Sequence, residues 1–181
     1  MSHDWSSLSP RDIGRGLAIS LDTSCKIEDI SDNERSLLRD AKLPIERYHQ
    51  ELLLLAGFAH DYAIYKLVGQ TEIGKQILAG YREAWQNVAK AGPTGAALFQ
   101  LFLKRCSEYS KAAEENEQSA KQEAKSISRI ALIFGGFINP ENGTSADRGS
   151  AQMLALTYAD NCYFSHSEGT VEALRAAKVL R

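Results

Sequence analysis

Apolar residues recur along most of this chain at spacings of three and four, the interval that lines up one face of an α-helix. Read with its capping residues, the pattern predicts helices over 33–42, 44–68, 72–90, 95–137, 146–163 and 168–180. Ser31 or Asp32 can cap the first, and Pro44 suits the first turn of the second, with Gly69 as its stop. Thr71 can cap the third, whose stripe is Ile73, Ile77, Leu78, Tyr81, Trp85 and Val88. Between Leu52 and Ala59 the helix at 44–68 is apolar on several sides, so it is expected to be central and the most buried element. Leu52, Leu55, Ala59 and Tyr62 are its expected buried set.

The fold class that follows is all-α: an irregular helical bundle around the apolar helix at 44–68. No proline interrupts 95–137, where Phe99, Phe102, Cys106, Tyr109 and Ala113 form one stripe. Ile127, Ala131, Phe134 and Ile138 belong to a second stripe in shifted phase, beyond the polar run Glu114 to Gln118. A straight helix of this length would reach about 65 Å, longer than a small domain. It is therefore expected to bend or break near Asn116, or to project and bind something. Residues 1–31 form an arm of undetermined structure, and 32–181 read as one helical domain. Ser9-Pro10 can start a helix in that arm, but Gly14 and Gly16 weaken it, and Gly16 to Asp22 also suits an extended segment. At the other end, Ser165, Ser167 and Gly169 suggest that a helix stops between 163 and 168.

Composition narrows the function classes. The 181 residues carry 21 basic and 23 acidic side chains, a net charge of −2, so the basic excess of a nucleic-acid binder is missing. The longest apolar run is far shorter than the roughly 20 residues of a membrane span. Cys25, Cys106 and Cys162 match no zinc spacing, and an odd thiol count fits a reducing compartment. The first ten residues lack the pattern of a secretory signal. A cytoplasmic protein is the expectation.

Candidate chemistry is sparse. Glu46-x-x-His49 is half of a carboxylate-bridged metal site, and no second copy exists to complete it. His49 and His60 share a helix face to within about 20° but lie about 16 Å apart along the axis, too far for one ion. Small residues between them, Ala56 and Gly57, make this face a possible pocket wall, with Asp61, Tyr62 and Tyr65 nearby. His60-Asp61 resembles the metal dyad of helical phosphohydrolases but lacks the other ligands, and reads as a histidine oriented by a neighbour. Cys162 and His166 could pair as nucleophile and base if the helix continued through Ser165.

No catalytic constellation is complete. The expectation is thus a non-enzymatic protein that works through protein contacts, with a protein partner or a second copy and without cofactor, metal, nucleic acid or membrane span. Phe99, Phe102, Tyr109, Ile127 and Phe134 would form its interface. The alternative is a small-molecule or metal-dependent site near His49 and His60, with Asp61 and Tyr62.

Overall fold

The computed structural model describes residues 5–91, 95–121, 128–139 and 143–180. Among these, seven α-helices and two short 3-10 turns account for nearly all the chain, and no strand occurs. The helices are α1 (Pro10–Ser24), α2 (Asp32–Asp40), α3 (Ile45–Val68), α4 (Glu72–Ala91), α5 (Gly95–Lys121), α6 (Arg129–Ile138) and α7 (Ser145–Ala176). The all-α bundle expected from the periodicity is what the chain forms.

Helix α3 is its axis. Every residue from Leu54 to Ile64 is buried, because helices pack on it from several sides. Leu55, Ala59 and Tyr62 are buried as expected, whereas Leu52 is only half-buried. One face of α3, with Tyr48, Leu55 and Phe58, packs into a core shared with α2, α5, α6 and the first half of α7. Another, with Leu54, Ile64 and Val68, packs into a second core with α1, α4, the start of α5 and the end of α7. Helix α7 is long enough to serve both: Leu154 and Ala155 enter the first core, and Ala173 and Leu174 the second.

The caps follow the local chemistry. Ser31 and Glu34 form a reciprocal capping box at α2, and Glu34 also accepts a 2.8 Å hydrogen bond from the Tyr48 hydroxyl on α3. The end of α2 is closed by Lys42 in the left-handed region, φ 52°, which lets the Leu43 amide reach back to the Leu38 carbonyl at 2.9 Å. Thr71 caps α4 through the Gly74 amide.

Three elements differ from the sequence reading. Residues 10–24 are one helix, with Ser9 accepting from the Asp12 amide, and no extended segment occurs at 16–22. The glycines that weaken this helix locally are what let it dock. A Cβ on Gly14 would run into the Ile77 carbonyl, and one on Gly80 into the Arg11 carbonyl. Helices α1 and α4 thus cross in backbone contact, around which Ile13, Leu17 and Leu21 are buried. Alanine at Gly14 gains about 1 kcal/mol of helix propensity, but the displacement it forces should leave a net loss of about 2 kcal/mol. A Cβ on Gly136 meets nothing within 4 Å, so Gly136→Ala should instead stabilise, by up to about 1 kcal/mol. Urea melts of the two variants should therefore move in opposite directions.

Second, the stretch 95–137 is a pair of helices, as one of the expected alternatives had it, but α5 continues through the polar stretch around Asn116 to Lys121. Helix α6 packs antiparallel alongside α5. Asn116 accepts from the Arg129 amide at 2.8 Å, and further along Tyr109 meets Phe137 edge-on at 5.6 Å. Third, α7 is continuous where two helices were expected. Its serines and Gly169 are tolerated because packing on both cores holds the helix across them.

Candidate functional site: a histidine chain between two clefts

His166 and Thr170 are one turn apart on α7, between the parts of that helix that enter the two cores. Both point toward His60 of α3. The Thr170 hydroxyl donates its single proton to the His166 carbonyl at 3.0 Å. The same oxygen lies 2.7 Å from His60 Nδ1, and with its proton on the carbonyl it accepts from Nδ1–H. In that tautomer a neutral His60 presents a lone pair at Nε2. Burial first, and His166 second, push the His60 pKa down to about 3, so the ring is neutral near pH 7. His166 Nδ1–H donates to that lone pair at 3.1 Å. Burial lowers the His166 pKa as well, and its remaining lone pair, on Nε2, faces the Cys25 sulfur at 3.6 Å.

The result is a directed chain from thiol to imidazole to imidazole to hydroxyl: Cys25, His166, His60, Thr170. Cys25 is the cap residue at the end of α1. His49 holds it in place, with Nε2–H donating to the Cys25 carbonyl at 2.7 Å. The site thus draws on three helices far apart in the chain.

Two open clefts flank it. One, of about 350 Å³, is lined by Cys25, His49, Cys162 and His166, with Leu52 and Tyr158 as apolar walls and Lys26 and Asn161 among its polar residues. The other, of about 460 Å³, is lined by His60 and His166 together with Trp5, Leu17 and Glu172. Ser165 and His166 belong to both. No protein-family model, no curated protein and no solved structure matches this chain.

The residues singled out from sequence separate into two groups. His49 and His60 are linked through Cys25 and His166 in one hydrogen-bonded chain. Asp61 and Tyr62 are not brought to it. Asp61 takes a two-pronged ion pair from Arg82 of α4, at 2.6 and 2.8 Å. Tyr62 donates to Glu117 of α5 at 3.1 Å. Gly57 does not open a pocket either, since a Cβ there would sit 2.6 Å from the Trp85 indole nitrogen. Cys162 is not the partner of His166. Its thiol turns to the Leu52 carbonyl at 3.9 Å, and burial raises its pKa. Glu46 is exposed. Among the described residues, no group of three or more His, Cys, Asp or Glu is arranged to hold a metal ion.

The residues expected at an interface are largely used inside the chain. Phe102 packs on Trp85 at 5.0 Å, Tyr109 stacks on Phe58 at 5.3 Å, and Phe134 meets Tyr48 edge-on at 6.0 Å. All three are fully buried. As a correction to the expected exposed stripe, α6 folds back onto α5 and both faces are covered within one chain. Phe99 is half-buried against Phe102, and Ile127 lies outside the described residues. No helix among the described residues is long and apolar enough to cross a membrane.

Of the hydrogen-bonded chain, Cys25 and Thr170 were not singled out from sequence as site residues, and His166 was paired there with Cys162 rather than with Cys25. The four-residue spacing of His166 and Thr170 is a weak signal that counts only if α7 is unbroken. Nothing in the sequence links Cys25 to His166, which is 141 positions away.

Proposed function

We propose that this protein binds a small molecule in the clefts around His166, and that this site, rather than the apolar stripe of α5 and α6, is its working surface. The observation that supports the reading is the hydrogen-bonded chain from Thr170 to Cys25, which opens into solvent-accessible clefts on both sides. The outer members of the chain, Cys25 and His166, are half-buried at the cleft walls, whereas His60 and Thr170 are buried behind them. The mixed walls suit a ligand with an apolar body and a polar end. Reduced Cys25, Cys106 and Cys162 suit a reducing compartment such as the cytoplasm.

Soaking crystals with small polar aromatic and aliphatic fragments is the test. Fragments should settle against His49, His166 and Tyr158, and His166→Phe should remove them. Clefts that stay empty while fragments gather elsewhere would count against the proposal.

A role in protein contacts keeps one supporting observation. Met153 and Phe164, which share the outer side of α7, are 57% and 55% exposed. Light scattering after size exclusion distinguishes a self-associating protein from a monomer.

A further inference from the structure

We infer that Cys25 is a nucleophile, with His166 as its base, and that the site takes an acyl group from an activated ester or thioester. The inference rests on the cleft being the binding site. The arrangement has the three parts that a covalent site needs. The sulfur lies in a cleft, a basic nitrogen lies within reach of it, and a third group orients the base. The 3.6 Å separation of Sγ and Nε2 is within reach of a thiol hydrogen bond. With the Thr170 proton on the His166 carbonyl, the chain runs in one direction toward the thiol. Each ring therefore presents the nitrogen that the next step uses: His60 offers a lone pair to His166 Nδ1–H, and His166 offers a lone pair to the thiol.

The other thiols lack this setting. Burial raises the pKa of both Cys106 and Cys162, which suppresses the reactive thiolate. Cys25 alone of the three is paired with an imidazole nitrogen in the hydrogen bonds assigned among the described residues.

The chemistry balances without an oxidant or a metal. Sγ attacks the carbonyl carbon while its proton passes to His166 Nε2. The tetrahedral adduct collapses and breaks the bond to the leaving oxygen or sulfur, which takes the proton back from His166. Cys25 then carries a thioester. Water attacks that thioester with His166 again accepting a proton, releases the carboxylic acid and restores the thiol. The positive charge on His166 in each step strengthens its bond to the His60 lone pair. His60 is thus a positioning residue, and His49 holds the Cys25 backbone. Leu52, Tyr158 and Ile30 give the acyl chain an apolar wall.

p-Nitrophenyl acetate tests this on the full chain. The expected result is a burst of about one equivalent of p-nitrophenolate, with the acetyl group located on Cys25 by peptide mass spectrometry. Cys25→Ser should abolish the burst, and His166→Gln should slow it about 100-fold, as loss of a positioned base does. His60→Leu should slow it too, while His60→Gln, which keeps a hydrogen-bond acceptor, should recover part of the rate. If variants fold poorly, the wild-type chain provides its own control: native Cys25 should acetylate at least tenfold faster than the same residue in urea. Acetylation at equal rates in the native and unfolded chains, or equally fast on Cys106 or on lysines, would overturn the inference. Fragments bound in the cleft together with an unreactive Cys25 would overturn the chemistry alone, and an empty cleft would overturn the binding site as well.

Discussion

Glu51→Ala is expected to destabilise the protein by about 3–5 kcal/mol, the cost of leaving a buried charge without its partner. Glu51 on α3 receives two hydrogen bonds from the Arg105 guanidinium on α5, at 2.8 and 3.0 Å. The two side chains are only 7% and 11% exposed. Arg105 also lies flat against Phe137, its guanidinium carbon 3.3 Å from the ring centre, and bonds to Glu108 at 3.0 Å. It cannot swing out to water without losing these contacts, and Glu108, a half-buried residue on its own helix, cannot replace the two-pronged bond. Replacing both partners with apolar residues, Glu51→Leu with Arg105→Met, removes the buried charge altogether and should recover most of the loss. Urea melts of the single and double variants check this. A loss below about 1 kcal/mol in Glu51→Ala would mean that water reaches Arg105.

Acid should weaken the fold well before the carboxylates titrate, and His60 is the reason. The unfolded chain takes up a proton on this ring near pH 6.5, whereas the folded protein refuses it until about pH 3. Between those values the unfolded state binds more protons, so stability falls as pH falls. The contribution of neutral His60 is complete above about pH 7. At 1.36 kcal/mol per unit, about 2–3 kcal/mol of it is lost by pH 4.5, and about 4 kcal/mol by pH 3. His166, whose pKa is also lowered by burial, acts in the same direction. Asp12, Glu83 and Asp147 have lowered pKa values, so their losses set in as the unfolded carboxylates begin to protonate, in the ordinary carboxylate range, and grow below it. Urea midpoints at pH 7.5, 6.5, 6 and 5.5, above the carboxylate range, isolate the histidine contribution. His60→Leu should flatten this profile, and a wild-type profile already flat over that interval would contradict the burial of His60.

Much of the architecture is written in local terms. Periodicity identifies α3 as the central helix because an element apolar on several sides has no solvent face to turn outward. Ser31 with Glu34 and Thr71 with Gly74 mark helix starts because their hydrogen bonds span three residues. Where the reading went astray, the deciding contact was distant. Gly14 looks like a helix breaker until α4 is placed against it. Ser165 to Gly169 looks like a helix end until both cores are seen to hold α7. Asn116 looks like a break because it is polar, but its amide oxygen is needed to receive the Arg129 backbone.

The candidate site divides the same way. His49 and His60 were visible as imidazoles on one face of a helix, since that face depends only on 100° per residue. What they do was not visible. Asp61 follows His60 directly, yet the helical turn sends it to Arg82 and away from the histidines. By itself, the sequence determined the fold class, the central helix and most of the caps, because each depends on residues within a turn or two. The tertiary structure alone decided which helices touch at backbone distance, that the α5 and α6 stripes are covered within one chain, and that Cys25 faces His166. Those outcomes depend on how faces meet in three dimensions, and a linear pattern carries the faces but not their pairing.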